Sequence, residues 1–311
     1  MQEERNIILR KLEISDIYEM EFPVAPENVR FTKEYIKQYY FHNTISPSSF
    51  WVASKENKVK GYLTANTYRF LIEGKNLNVS VPINGYIDTD TRRKGLFVKL
   101  FQEIERECLN DLKIDFFIAF ANKKSVGILI NKLNYMPAKC PDLLISLFNP
   151  FFLFKKASYK ILKNIDCINF TGAYSFENSF KKDKEYYHWR YKNYTEKQLR
   201  ILEIKDIDKI IGYAIILLVK RKGIRFMILS DIVCYKAADS NVVFKEATHY
   251  ATRSFFPFLI TYKLQEMKIK NTFCFILKNR FNFLVKGKSE RETIYLSKKT
   301  YNLFLGDMDF I

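Results

Sequence analysis

The chain is predicted to fold in the α/β class, as mixed, twisted sheets with helices on their faces. Three observations predict it. A β-rich run at 79–87 passes through a basic, glycine-containing turn into an amphipathic helix. A second apolar run, 114–120, passes through a short polar turn into another helix ending near Tyr135. Three strand-like runs then follow one another at 198–204, 209–219 and 224–234.

In chain order, 6–11 reads as a short strand and 15–21 as a short helix. Residues 50–54 and 59–70 are strands separated by the hairpin-like turn Lys55-Glu56-Asn57-Lys58. Gly74-Lys75-Asn76 makes the next turn, before the strand that ends at Ile87. In the helix that follows, Leu96, Phe97, Leu100, Phe101, Ile104, Cys108 and Leu112 recur at helical spacing. Beyond Pro137 and Pro141 the aromatic segment 143–154 is expected to be a connector packed on the first lobe. The second lobe is expected to start at Tyr186-Tyr187-His188-Trp189-Arg190-Tyr191. A hairpin turn at Lys220-Arg221-Lys222-Gly223 joins two of its strands. Residues 242–262 contain a helix interrupted by Pro257, and 272–277 are a further strand. The expected domains are 1–140, a connector at 141–180, and 181–311.

The segment Asp88-Thr89-Asp90-Thr91-Arg92-Arg93-Lys94-Gly95-Leu96-Phe97 carries the most chemistry. A strand end, a basic turn and a helix N-terminus together present free N–H groups and a positive dipole end to an anion. Taken alone, such a turn is also an ordinary solvated loop. The Arg92-x-x-Gly95 core, followed downstream by Asn122-x-x-Ser125 and Lys132-Leu133-Asn134-Tyr135, resembles the GNAT superfamily of N-acyltransferases. The Arg-x-Lys-Gly-Leu-Phe form looks like a tandem, two-lobe subgroup that acylates nucleotide-linked amino sugars in polysaccharide gene clusters. The resemblance implies two GNAT-like lobes, the first binding acyl-CoA through Ile87, Asp88, Arg92, Arg93, Lys94, Gly95, Leu96, Phe97, Asn122 and Ser125. Phe97 departs from the small residue that ends the family's motif. The tyrosine acid that many relatives carry would fall near Ile130 or Leu129, so that group is missing or comes from elsewhere.

Gly212-Tyr213-Ala214 repeats Gly61-Tyr62-Leu63 within a strand, so the second lobe looks like a degenerate duplicate without the basic turn. Asn84, Trp189, Arg190 and Tyr191 are the candidate acceptor contacts. Arg190 has the geometry for a diphosphate, and Trp189 or Tyr191 for stacking on a base. The alternative is that the aromatics are core and Arg190 pairs with Glu185 or another carboxylate.

Attack on a thioester needs a neutral amine, so a proton must leave the acceptor. Where many relatives hold a glutamate this chain has Ser80, Val81 and Asn84. Asp88, Asp231, Asp307 and Asp309 are candidate bases, with a water chain as the alternative. Tandem enzymes of the myristoyltransferase type use the C-terminal carboxylate, which here would be that of Ile311.

Composition bounds the rest. With 311 residues, 48% hydrophobic and 16% aromatic, the chain has ample core for one large domain or two. The polar start, Met1-Gln2-Glu3-Glu4-Arg5, lacks a signal-peptide apolar region, and the apolar runs are too short to span a bilayer. Five scattered cysteines without Cys-x-x-Cys spacing, and three scattered histidines, imply reduced thiols, a cytoplasmic protein and no metal. The net charge of +17 fits a basic, Lys-rich surface or phosphate-bearing ligands. Nucleic acid is the weaker reading, because no helix-turn-helix, zinc-finger or RNA-binding signature accompanies the charge. The expected activity is therefore transfer of an acetyl or 3-hydroxybutyryl group from acyl-CoA to a nucleotide-linked (for example dTDP-linked) amino sugar. The alternatives are peptide or protein N-acylation and a non-enzymatic nucleic-acid-binding module, and the oligomeric state is left open.

Overall fold

The computed structural model describes residues 7–22, 32–43, 47–192, 194–268, 273–278 and 282–307. Its strands are β1 (Ile8–Lys11), β2 (Ser48–Lys55), β3 (Lys58–Ile72), β4 (Lys75–Ile87), β5 (Phe116–Ala121), β6 (Met136–Pro137), β7 (Leu143–Leu147), β8 (Tyr159–Leu162), β9 (Ser179–Phe180), β10 (Leu199–Asp206), β11 (Lys209–Arg221), β12 (Ile224–Cys234), β13 (Phe258–Tyr262), β14 (Cys274–Leu277) and β15 (Asn282–Gly287). The α-helices are α1 (Asp16–Glu19), α2 (Lys33–Ile36), α3 (Leu96–Asn110), α4 (Val126–Leu133), α5 (Lys184–Tyr191), α6 (Ser240–Arg253) and α7 (Glu290–Ser297). The chain divides into two units. The first is Met1–Phe70, Lys75–Lys139 and Phe281–Lys299, and the second is Leu71–Gly74, Cys140–Arg280 and Thr300–Ile311.

In the first unit the strands follow the order β1-β2-β3-β4-β5-β15-β6. Helix α3 lays its apolar stripe on this sheet, burying Leu96, Leu100, Phe101, Ile104 and Cys108 against Leu63, Phe117 and Ala119. Each large side chain so buried contributes about 1.5–3 kcal/mol. Glu107 ties the helix to the sheet edge, accepting from Ser49 Oγ at 2.5 Å and Trp51 Nε1 at 2.6 Å and pairing with Lys11 at 2.5 Å. Burial pushes the Glu107 carboxyl up, but the Lys11 ammonium and the two hydrogen bonds outweigh it and hold the group below its usual range.

The second unit repeats the plan in a seven-stranded sheet of order β14-β7-β13-β12-β11-β10-β8. Helix α6 packs Val243, Phe244, Ala247 and Ala251 onto it. The repeat extends to irregularities. The β2–β3 register shifts after Ala53↔Gly61, and the β10–β11 register shifts after Ile204↔Gly212. A glycine stands at both places, where neighbours approach closely. A Cβ on Gly61 would meet Ile87 at 2.8 Å, and one on Gly212 would meet the Val233 carbonyl at 2.5 Å. In each unit the next strand pair is parallel for two registers only, Val79↔Phe116 and Ser80↔Phe117 in the first, Met227↔Leu259 and Ile228↔Ile260 in the second.

The expected boundaries need correction. Residues 143–154 do not form a connector, because β7 pairs along its whole length with β13 and β14 and buries Leu144 and Ser146. Nor is 181–311 continuous, because β15 pairs with β5 and α7 packs on β15, which places both in the first unit. A strand adds to whichever sheet edge accepts its hydrogen bonds, whatever its position in the chain. Helix α7 starts at a reciprocal capping box formed by Ser289 and Glu292.

Candidate active site

The first unit carries the Arg92–Gly95 turn between the end of β4 and the start of α3. After Ser80↔Phe117 the ladder between β4 and β5 stops, although β4 continues to Ile87 and β5 to Ala121. Two parallel strands that part in this way leave main-chain groups on facing edges with no partner strand. Asn84 marks a local irregularity in β4, with φ of 50°. Its Nδ2 donates to the Tyr40 hydroxyl at 2.6 Å, and Thr64 Oγ1 bonds the same hydroxyl at 3.0 Å. Asn84 is thus anchored within the first unit.

Asp88 Oδ1 accepts the Thr89 N–H at 2.7 Å and starts a short 3-10 turn, Thr89–Thr91. Its other oxygen lies 3.1 Å from Lys60 Nζ, which also reaches Asp90 at 2.8 Å. Asp88 therefore shapes the turn, and its carboxylate is already engaged. Arg92 Nε donates to the Ile87 carbonyl at 3.0 Å, folding the basic turn back on the strand end. Arg93 and Gly95 both have left-handed backbones, with φ of 66° and 76°. Arg92, Arg93, Lys94 and Gly95 are all exposed, and a Cβ on Gly95 would meet no atom within 4 Å. Lys99 N–H bonds the Gly95 carbonyl at 3.1 Å, so the N–H groups of Leu96 to Val98 belong to the unpaired first turn of α3.

Leu96 turns into the core, at 7% exposure. Phe97, half-buried at the start of α3, is accommodated by a glycine on β4. A Cβ on Gly85 of β4 would lie 3.1 Å from the Phe97 ring, so the glycine makes room for it. Asn122 Oδ1 accepts the N–H groups of Lys124 at 2.9 Å and Ser125 at 3.0 Å, which shapes the entry to α4. Of the two positions named for a tyrosine acid, Leu129 is buried and Ile130 half-buried.

The acceptor and base candidates lie in the second unit, where the structure departs from expectation. Asp231 lies within β12, paired with Ile215, next to a bulge at Ser230. Asp231 is fully buried and bonds Lys182 Nζ and the Tyr191 hydroxyl. That hydroxyl is also 2.7 Å from Ser230 Oγ. Lys182, only 5% exposed, pairs in addition with Asp307 at 2.5 Å. Asp307 accepts the Phe304 N–H at 2.7 Å, and Lys182 Nζ stands 4.3 Å from the Phe304 ring centre. One cation thus faces two buried carboxylates. Burial, with the Asp231 charge adding to it and Lys182 opposing, raises the Asp307 pKa to about 6. Gly306 completes the packing, since a Cβ there would lie 2.6 Å from the Tyr191 hydroxyl and 2.8 Å from Ser230 Oγ.

Asp231 and Asp307 are therefore brought together as an ion cluster rather than as open bases. Asp309 and the Ile311 carboxylate lie outside the described residues. Trp189 and Tyr191 are 6% and 2% exposed, so neither presents a face to a base, a correction to their expected role. They lie on the inward face of α5, which buries four aromatics in eight residues. Arg190 on the same helix is half-buried. Nothing in the local sequence marked Lys182, one lysine in a chain with 51 Lys and Arg.

No family model matches this chain, and no curated protein matches it in sequence. Solved structures do match. A GCN5-related N-acetyltransferase from Anabaena variabilis aligns with a TM-score of 0.63 at 15% identity, over 90% of this chain and 72% of that one. One from Kribbella flavida aligns at 0.59 and 9% identity, over 95% and 74%. The fold is that of the GCN5-related N-acetyltransferases. Saccharomyces cerevisiae N-myristoyltransferase with bound myristoyl-CoA shares it at 0.56 and 13% identity, over 90% of this chain and 82% of that one. In this GCN5-related fold the two sheets correspond to the two lobes expected from the sequence. Among the described residues no three His, Cys, Asp or Glu side chains gather as a metal site, and no helix is long and apolar enough to cross a membrane.

Proposed function

We propose that this protein is an acyl-CoA-dependent N-acyltransferase whose acceptor is a nucleotide-linked amino sugar. The observation that carries the reading is the parting of β4 and β5 beside the exposed Arg92–Gly95 turn and the unpaired first turn of α3. The pyrophosphate of CoA fits a turn of exposed cations and free N–H groups, and the open space over Gly95 admits close backbone approach. The parted strands offer main-chain groups for a pantetheine arm. Bound acyl-CoA would supply the thioester. The protein's own part is to hold it, and to offer backbone N–H groups near the end of β4 to a carbonyl oxygen.

Proton removal from the acceptor is assigned to solvent. Asp88 is held by Lys60, and Asp231 and Asp307 share Lys182 inside the second unit. A substrate ammonium loses its proton to water readily enough near neutral pH that a dedicated base adds rate without being obligatory. Support for the sugar acceptor comes from the Arg-x-Lys-Gly-Leu-Phe form of the turn. Calorimetry with acetyl-CoA and 3-hydroxybutyryl-CoA, followed by transfer assays on dTDP-linked amino sugars and on peptide amines, tests the reading. Binding of neither thioester would remove the acyltransferase assignment. Transfer to peptides alone would replace the acceptor.

A further inference from the structure

One end of the second unit's sheet is apolar and basic at once. Across it the strands bring Val219 beside Phe226, Phe226 beside Phe258, and Phe258 beside Leu147, whose N–H bonds the Phe273 carbonyl at 2.9 Å. The Phe226 and Phe258 rings stack with centres 5.2 Å apart. Beyond this row the chain turns at the hairpin closed by Arg221 and Ile224, at the 3-10 turn Pro150–Phe154 after β7, and between α6 and β13. These turns are tied to the row and to one another. Phe148 stacks on Phe255 at 6.3 Å, Phe151 meets Phe273 edge-on at 6.2 Å, and the Arg225 guanidinium stands 5.2 Å from the Phe256 ring centre. Phe151, Phe154 and Phe255 are nonetheless 66%, 89% and 77% exposed, so these rings project and line no groove. Phe255 is held there under strain, because a bulky residue with φ of 57° is a backbone outlier. Exposed cations surround the rings: Lys155, Lys156 and Arg253 beside them in the chain, and Lys220, Arg221, Lys222 and Arg225 on the hairpin. The segments that build this end, 143–165, 209–230, 247–265 and 267–289, contain no Asp or Glu.

We infer that this end docks on the surface of an anionic lipid bilayer, with the rings of Phe151, Phe154 and Phe255 entering the boundary between headgroups and acyl chains. Exposed apolar side chains gathered in one patch mark interaction sites. Rings rimmed by Lys and Arg have the chemistry of an interfacial anchor, in which burial of the rings and attraction to acidic headgroups add. A second copy of the chain fits this face worse, because two such faces would bring like charges together with no carboxylate between them. A nucleic-acid strand is tracked by a groove, and these rings project from turns. The inference does not rest on the transferase reading, since neither the Arg92–Gly95 turn nor the Lys182 cluster takes part in it.

The test is flotation of the full chain with vesicles of phosphatidylcholine alone and of an equimolar mixture of phosphatidylcholine and phosphatidylglycerol. The protein should float with the anionic vesicles and not with the neutral ones, and added salt should release it. Phe154→Ser combined with Phe255→Asn should weaken binding roughly tenfold or more, because two rings no longer enter the acyl boundary. Asparagine suits a left-handed backbone, so this variant should melt no lower than the parent, which separates lost docking from lost folding. Lys155→Gln with Lys156→Gln should weaken binding about fivefold per charge, whereas Lys58→Gln with Lys75→Gln, two exposed lysines of the first unit, should change it less than about twofold. The inference is overturned if neutral and anionic vesicles bind alike, or if the phenylalanine variant floats like the parent, which would leave the net charge of +17 as the whole attraction. A variant that floats normally but no longer self-associates, or no longer binds a single-stranded oligonucleotide, would give this face to that partner instead.

Discussion

Replacing Lys182 with methionine removes one cation from between two carboxylates and keeps most of the side-chain volume. The side chains of Lys182, Asp231 and Asp307 are 5%, 0% and 1% exposed, so water cannot take the place of the lost charge. Breaking a buried pair from one side costs about 3–5 kcal/mol. The cluster has one route of relief, because Asp307 already holds its proton up to a pH of about 6. At about pH 7.5, protonating it takes on the order of 2 kcal/mol, which caps the loss near the lower end of that range. At about pH 5.5 most of that proton is already bound, and the variant loses chiefly the Asp231 contact. Urea unfolding read by Trp189 emission, in a Trp51→Phe background, should therefore show a loss of about 3 kcal/mol at the higher pH and clearly less at the lower. A loss below about 1 kcal/mol at both pH values would falsify the account of the cluster. An equal loss at both would show that Asp307 is not the group that titrates.

Asp307→Asn tests the same cluster from the other side. A carboxyl whose folded pKa is raised opposes folding as pH rises from its unfolded value near 3.8 through about 6. The stability of the Asn variant relative to the parent should therefore climb across that window by on the order of 2–3 kcal/mol, as denaturation at stepped pH would show. A flat difference refutes the raised pKa. Gly306→Ala should cost about 1–3 kcal/mol by overpacking, because its Cβ has no room beside Tyr191 and Ser230; an unchanged melting temperature would show that the segment is free to shift. Gly95→Val places its side chain in open space and leaves the core intact, but it strains a left-handed turn where the pyrophosphate is proposed to bind. Acyl-CoA affinity should fall roughly tenfold, about 1.4 kcal/mol, and unchanged calorimetric affinity would move the anion site elsewhere.

The sequence by itself determined many of the elements, α3 above all, and the local shape of the Arg92–Gly95 turn. The period of Leu96, Leu100, Phe101 and Ile104 specified α3, because only one face of that helix meets the sheet. The pair Gly61 and Gly212 announced the duplication, since each glycine permits a close approach that a Cβ would block. The Arg92–Gly95 turn was legible for the same reason: its left-handed backbone is set by short local sequence. What was not legible depended on partners distant in the chain. Nothing in the local sequence of β7 or β15 says which of the two sheets it joins; that depends on which strands offer it hydrogen-bonding partners. Asp231, Lys182 and Asp307 come from a strand, a loop and the C-terminal segment. None carries a local signal, and their meeting exists only once the second unit has excluded water around them. Tyr187 and Trp189 are two residues apart on one helix. Packing alone decided that both would be buried, because a helix sets the spacing of its side chains but not what each of them faces.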